Sequence, residues 1–150
     1  MENNKPRVVA LGVIRQDDRI FVGEVYDQEC DEVYYRPIGG QVEFGEKGNE
    51  TVIREMREEL GVDVHGVRYL GTIENIFRVE ADTGHEIALI YEASFNDEDN
   101  YSVLSLPRID RDDTSRLATW QFLSTFENED VPLYPNGLLE LLCREMPVYV

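Results

Sequence analysis

Three glutamates lie close together in one short segment, GQVEFGEKGNETVIREMREELGV, at residues 40 to 62. Glu55, Glu58 and Glu59 are spaced i, i+3 and i+4, which places their carboxylates on one face of an α-helix. Like charges at this spacing destabilise a helix by roughly 0.2–0.5 kcal/mol per pair. A hard divalent cation such as Mg²⁺ prefers oxygen ligands and would relieve that repulsion. The spacing therefore indicates a metal site.

A second interpretation of the same segment is a solvated helix that carries ordinary salt bridges. Glu50 and Arg54 are spaced i,i+4, and so are Arg54 and Glu58, which accounts for part of the charge pattern. It does not account for the glycine corner at residues 39 to 40, nor for the acidic loop that follows it. A tight corner, an acidic loop and a helix with three clustered acids together favour a functional site.

The spacing of these residues resembles the signature of the Nudix hydrolases, G x5 E x7 R E U x E E x G U, in which U is a bulky aliphatic residue. The matching residues are Gly40, Glu46, Arg54, Glu55, Met56, Glu58, Glu59, Gly61 and Val62. Two positions depart from the usual pattern, Met56 at a U position and Ile38 before the glycine corner. Methionine fills a similar apolar volume, and Pro37 still stiffens the chain that leads to the corner. Neither departure therefore affects the chemistry.

The resemblance implies a fold, an activity and a set of residue roles. The fold would be of the α/β (α+β) class, a Nudix-like α/β/α sandwich around a mixed β-sheet. The metal would be Mg²⁺, with Mn²⁺ as a substitute, and it would be held by the Gly39 carbonyl and by Glu55, Glu58 and Glu59. Arg54 would orient the glutamates of this signature, which we call the box (residues 40 to 62). Glu46 would support Arg54 from outside the metal site. Glu43 is either an outer metal ligand or a solvated side chain.

The activity implied is a Mg²⁺-dependent pyrophosphohydrolase that cleaves a nucleoside diphosphate linked to another moiety. Glu55, Glu58 and Arg54 are the catalytic candidates within the box. The alternative is a catalytically silent Nudix-fold module that binds a nucleotide as a sensor. The intact acids of the box argue against that alternative.

Outside the box, the water-activating base has three further candidates, Glu86 and the loop residues Asp112 and Asp113. For the two aspartates a solvated loop is the preferred interpretation. For Glu86 both interpretations, a catalytic base and a carboxylate without a catalytic role, stay open. Arg36 is the best candidate to contact a substrate phosphate, because it lies next to the glycine corner. Trp120, Tyr35 and Phe77 could stack a nucleobase, but aromatic residues in strands are usually core residues, and this is the interpretation preferred for all three.

Composition narrows the partners. A chain of 150 residues with 42% hydrophobic content suits one domain, residues 1–150. A net charge of −17 with only 14 Lys and Arg disfavours long nucleic acids as substrates. The longest apolar run, residues 8 to 14, is too short to span a bilayer. We expect a cytoplasmic enzyme with a small-molecule nucleoside diphosphate substrate and, given exposed sheet edges, possible homodimers.

The elements that position the site are mostly strands. Residues 7 to 15 and 19 to 26 are β-rich and are parted by a turn, which predicts a hairpin. A second hairpin is predicted from residues 63 to 80 through a turn at 81 to 84. Residues 96 to 116 are polar and predict the longest loop. A strand at residues 117 to 123 and a closing amphipathic helix at 136 to 146 complete the chain.

Overall fold

The fold is seen in a computed structural model that describes residues 5–28, 31–79, 82–109 and 115–145. Its strands are β1 (Arg7–Gln16), β2 (Arg19–Asp27), β3 (Glu32–Arg36), β4 (Ile38–Gln41), β5 (Val64–Val79), β6 (Asp82–Phe95), β7 (Ser105–Leu106) and β8 (Ser115–Phe122). Its helices are α1 (Gly48–Leu60) and α2 (Leu138–Glu145), with short 3₁₀ turns at Glu98–Tyr101 and Leu123–Glu127. Both predicted hairpins, the box helix and the closing helix are present.

The strands form a mixed sheet with the order β5-β6-β1-β2-β8-β7. β3 pairs with β2, and β4 pairs antiparallel with β1. β1 also lies parallel to β6, with Arg7 opposite Glu86 and Ile14 opposite Ala93. β1 therefore sits at the centre of the sheet, with the glycine corner of β4 on it and β6 beside it.

The alternation of side chains along β1 separates two hydrophobic layers, since successive residues of a strand point to opposite faces. Val9, Leu11 and Val13 pack in the layer covered by α2 and the 3₁₀ turn at Leu123–Glu127. Ala10 and Ile14 pack in the layer covered by α1. The molecule is thus an α/β/α sandwich, and the predicted fold class is confirmed.

Helix α1 is held to the sheet by one apolar stripe. Val52 and Met56 are fully buried and Leu60 is 7% exposed, whereas Ile53 is only partly buried. Burying a side chain of this size contributes roughly 1.5–3 kcal/mol. The helix ends at Gly61, whose φ of 67° is left-handed and whose N–H donates to the Arg57 carbonyl at 3.0 Å.

Two details of the predicted elements differ from the structure. The predicted turn at residues 81 to 84 is too long, because β6 already begins at Asp82. The polar segment predicted as a loop contains the 3₁₀ turn at Glu98–Tyr101 and the short strand β7, which pairs with β8. Among the described residues, no helix has the length and apolar character that crossing a bilayer requires.

Candidate active site

The glycine corner brings β4 against both the central strand and the box helix. A Cβ built on Gly40 would lie 2.5 Å from Glu55 Oε1, and one built on Gly39 would lie 2.0 Å from the Ala10 carbonyl oxygen. Any side chain at either position would therefore collide with a carboxylate or with backbone. The two glycines allow the corner to lie directly beside the Glu55 carboxylate.

Arg54 is the centre of the hydrogen-bond network around the box. Its Nε and Nη2 donate to the two oxygens of Glu46, at 2.8 and 3.0 Å. Its Nη1 donates to Glu55 Oε1 at 2.8 Å and to Glu58 Oε2 at 3.2 Å. Nη2 also donates to the Gln41 carbonyl at 3.0 Å. The planar guanidinium therefore joins the strand, the loop and the helix, and hydrogen bonding to Glu46 raises the pKa of Arg54.

Glu46 is fixed from two sides. Besides the paired bonds from Arg54, its Oε1 accepts from the hydroxyl of Thr51 at 2.6 Å, and Thr51 is fully buried. The hydrogen bonds from Arg54, and then that from Thr51, lower the pKa of Glu46 to about 2. Glu46 is therefore ionised near pH 7, and its carboxylate holds Arg54 in place.

This low pKa predicts an acid-dependent stability. A carboxyl whose pKa is lower in the folded protein stabilises the fold above its unfolded value of about 4.3 and loses this contribution as the pH falls. For Glu46 the loss extends down to about pH 2. We expect Glu46→Gln to be less stable than the wild type at pH 6 in EDTA, and the difference to shrink between pH 4.5 and 2. Urea unfolding at several pH values measures it.

Glu43→Gln is the matched control for that experiment. Its carboxylate is 68% exposed and lies 3.8 Å from Arg54 Nη1, too far for a hydrogen bond. Removing its charge should leave the pH dependence of stability close to that of the wild type. A Glu46→Gln deficit that is independent of pH would show that Glu46 contributes by packing and not by its charge.

Glu59 lies in a different environment from the other two box acids. Its side chain is 10% exposed and Oε1 accepts a hydrogen bond from Nη2 of Arg108, whose side chain is equally buried. Burial raises the pKa of Glu59 to about 7; Arg108 opposes this effect and the charge of Glu55 adds to it. Among the described residues, Glu59 Oε2 is buried and has no hydrogen-bond partner.

The structure does not bring the three box acids together as a finished metal site. Within the described ranges, no three His, Cys, Asp or Glu side chains are grouped closely enough to hold a metal ion. The three acids also differ in exposure, since the side chain of Glu58 is 59% exposed, that of Glu55 15% and that of Glu59 10%. Arg54 donates hydrogen bonds to Glu55 and Glu58, whereas Arg108 donates to Glu59.

The donor set nevertheless fits a hard cation. All three side chains are carboxylates, and such ions take oxygen ligands. The buried Oε2 of Glu59 is the most specific feature, because a buried carboxylate oxygen that accepts no hydrogen bond from a described donor is costly unless a water molecule or a cation satisfies it.

Arg36 and Glu86 are brought together, although they are 50 residues apart in the sequence. Arg36 Nη2 donates to Glu86 Oε2 at 2.9 Å, and Arg7 forms a longer ion pair with Oε1 at 3.6 Å. Glu86 is 5% exposed and Arg36 about one-third exposed. Glu86 is therefore part of a buried ion pair and does not contact the described box acids through any hydrogen bond.

This ion pair lines a cavity of about 380 Å³. Aromatic and polar side chains share the wall, among them Tyr34, Phe77 and Tyr134 with Asn75, Arg36 and Glu86. Arg36 precedes Gly39 by three residues of nearly extended chain, which corresponds to roughly 10 Å at about 3.3 Å per residue. The cavity and the glycine corner are therefore neighbours, within the length of a diphosphate derivative.

The remaining candidates lie in the core, in the cavity wall or outside the described residues. Trp120 is buried in the layer under α1, and Tyr35 packs against the layer under α2, as predicted. Phe77 instead lines the cavity. Asp112 and Asp113 fall outside the described residues.

Two residues of the site were not identified from the sequence. Thr51 holds Glu46, and Arg108 holds Glu59. The position of Thr51 in the helix does not predict its hydrogen bond to Glu46, because that contact depends on how the loop that carries Glu46 folds back onto α1. Arg108 lies in the polar segment already marked as a long loop, but nothing local connects it to Glu59, 49 residues earlier.

Comparison with known proteins agrees with this fold. The NUDIX domain family model matches residues 4–133. A MutT NUDIX hydrolase from Burkholderia pseudomallei is 22% identical, with a TM-score of 0.65, and the alignment covers 96% of this chain and 100% of that one. A NUDIX hydrolase from Nitrosomonas europaea is 18% identical, with a TM-score of 0.68 and coverage of 92% and 86%. A MutT protein from Bacillus halodurans is 17% identical, with a TM-score of 0.62 and coverage of 91% and 80%.

Proposed function

The chain belongs to the NUDIX family of hydrolases, which act on pyrophosphate bonds, and from this premise we propose that it is a Mg²⁺-dependent pyrophosphohydrolase of a nucleoside diphosphate linked to another moiety. The observation that carries the metal requirement is the buried, unpartnered Oε2 of Glu59 beside the carboxylate of Glu55. We propose one catalytic domain that spans residues 1–150.

The metal-holding residues proposed are Glu55, Glu58 and Glu59, with the Gly39 carbonyl. The three carboxylates supply oxygen ligands from one helix, and Mn²⁺ would substitute for Mg²⁺. When bound, the cation would neutralise diphosphate charge and make a water molecule more acidic. The chain carries 31 acidic residues against 14 basic ones, so it has little cationic charge of its own for that purpose.

The chain's own residues orient the reaction. Arg54 holds Glu55 and Glu58 through one guanidinium nitrogen, so the two carboxylates keep a fixed relation to each other. Either carboxylate can accept a proton from the attacking water, since each retains an oxygen outside its bond to Arg54. In-line attack on phosphorus then needs little from the protein except this positioning.

The cavity lined by Arg36 is proposed to take the nucleoside part of the substrate. Its aromatic walls suit a base, and Asn75 and Arg36 provide hydrogen-bond groups. Arg36 is also the proposed contact to substrate phosphate, because it lines the cavity and lies three residues before Gly39. Glu86 is the remaining candidate for the base, but a carboxylate that already pairs with Arg36 and Arg7 is better suited to holding Arg36 in place.

Net charge limits the substrate and partners further. At −17, the protein would repel long RNA or DNA, so a small nucleotide derivative is proposed. A cytoplasmic location and a homodimer remain proposals, the second resting on β5 as a long strand at the edge of the sheet.

The experiment that tests this function is a substrate panel. Nucleoside triphosphates, nucleoside diphosphate sugars and dinucleoside polyphosphates are incubated with Mg²⁺ or Mn²⁺, and released phosphate, pyrophosphate and nucleoside monophosphate are measured. We expect turnover of at least one class with either cation, and loss of turnover in excess EDTA, because Arg36 alone supplies too little positive charge to neutralise the diphosphate.

Full activity in excess EDTA would contradict the metal assignment. Saturable nucleotide binding without turnover of any substrate would instead identify a silent binding module. Glu58→Gln protein, purified in the same way, is the control for contaminating phosphatases, since such contamination would survive the substitution.

A further inference from the structure

Arg108 contacts the box from outside it. The residue follows β7, and its guanidinium donates a hydrogen bond to Oε1 of Glu59, which lies 49 residues earlier in the chain. Both side chains are 10% exposed. The next residue, Ile109, donates its backbone N–H to the Glu59 carbonyl at 2.7 Å. Two consecutive residues therefore attach this segment to the last turn of α1.

The sheet leaves space for the Arg108 side chain. A Cβ built on Gly23 of β2 would lie 2.6 Å from Arg108 Nη1 and 3.2 Å from Cζ. The guanidinium thus lies directly on the backbone of β2, with Glu59 on its other side. Because a side chain on Gly23 would displace it, the position of Arg108 is set by packing as well as by charge.

The two oxygens of Glu59 have different environments as a consequence. Oε1 is bonded to Arg108, whereas Oε2 is buried and lacks a hydrogen-bond partner among the described residues. A carboxylate held through one oxygen cannot rotate without breaking that bond. The second oxygen is then presented in a fixed direction, as in metal sites whose ligands are oriented by a neighbouring hydrogen bond.

We propose that Arg108 is a positioning residue for cation binding, which holds Glu59 by Oε1 so that Oε2 is available to the divalent cation. This proposal depends on the proposed function in one respect, which is that Glu59 is a metal ligand. The opposite role is that Arg108 occupies the place of the cation and must be displaced by it. The two roles predict opposite changes in affinity when Arg108 is removed.

The test is calorimetric titration of the substrate-free protein with Mg²⁺ and with Mn²⁺. Arg108→Gln is expected to weaken cation binding about 10- to 100-fold, the usual effect of losing a group that orients a metal ligand. Arg108→Lys keeps a charged donor and should recover part of the affinity. Gly23→Ala displaces the guanidinium without removing it and should weaken binding in the same direction, by less.

Arg57→Gln is the matched control. Arg57 is 64% exposed on the same helix and pairs with Asp63, so this variant also removes one positive charge from a strongly acidic protein. Charge alone would make the protein bind cations slightly more tightly in both variants. Weaker binding in Arg108→Gln alone therefore cannot come from net charge. Circular dichroism spectra and thermal melts of each metal-free variant establish that it is folded.

Unchanged or tighter cation binding by folded Arg108→Gln would overturn the proposal, and tighter binding beyond that of Arg57→Gln would show that Arg108 competes with the cation. If Arg108→Gln is unfolded, the cation affinities of Arg108→Lys and Gly23→Ala test the proposal instead. Wild-type cation affinity in both of these variants would overturn the proposal. Absence of Mg²⁺ and Mn²⁺ binding by the wild type would instead contradict the metal assignment of the proposed function.

Discussion

Glu58→Gln is expected to lower kcat/KM at least about 100-fold, because losing a metal ligand removes several kcal/mol of transition-state stabilisation and each 1.36 kcal/mol is tenfold in rate. The metal-free variant should be as stable as the wild type or slightly more so. Glu58 is 59% exposed and its bond to Arg54 is an i,i+4 pair, which contributes about 0.3–0.5 kcal/mol. Relief of repulsion from Glu55, three residues earlier on the same helix face, offsets a similar amount.

Steady-state kinetics and thermal melts with and without Mg²⁺ measure both parts of this prediction. Mg²⁺ should raise the melting temperature of the wild type more than that of the variant, because a ligand stabilises a protein in proportion to its binding. Glu98→Gln, in an exposed 3₁₀ turn, is the control for removing one acid elsewhere. A metal-free variant that melts well below the wild type would assign Glu58 a structural role with Arg54.

Arg54→Lys is expected to reduce kcat about 10- to 100-fold with little change in KM. Lysine keeps the charge but has no planar fork, so it cannot donate to both oxygens of Glu46 while also reaching Glu55 and Glu58. The catalytic carboxylates would then lose their fixed relation. Substrate binding through the separate Arg36 cavity would be preserved.

Arg57→Lys is the matched substitution on the same helix, since Arg57 pairs only with Asp63 among its described salt bridges and is 64% exposed. We expect its kcat to be unchanged. Full kinetic profiles of both variants at saturating Mg²⁺ separate the two parameters. A steep rise in KM for Arg54→Lys at constant kcat would mean that Arg54 contacts the substrate directly.

Much of the fold could be predicted because its signals are local. Alternation along β1 assigns residues to two layers. The 3.6-residue period of α1 predicts Ile53, Met56 and Leu60 as its packing face, of which Met56 and Leu60 are buried and Ile53 is partly buried. Glycine at position 61 marks the end of the helix for a steric reason, its left-handed φ. These properties depend on neighbours within a few residues, which the sequence states directly.

Burial of Glu59 could not be predicted in the same way. Helical spacing places Glu55, Glu58 and Glu59 on one face, but it does not say which of them another segment will cover. The covering segment is the one that carries Arg108, and its contact with α1 depends on the path of the chain after β7. Local periodicity therefore predicted three equivalent acids, and packing made them different.

By itself the sequence determined the number, type and spacing of the box residues, and with them the helix face that we propose binds a hard cation. Tertiary structure alone decided how these groups are oriented. Arg36 meets Glu86 because β6 lies beside β1, and Glu59 meets Arg108 because a distant loop folds onto α1. Such pairings follow from sheet order and packing between segments far apart in the chain, for which no local spacing exists.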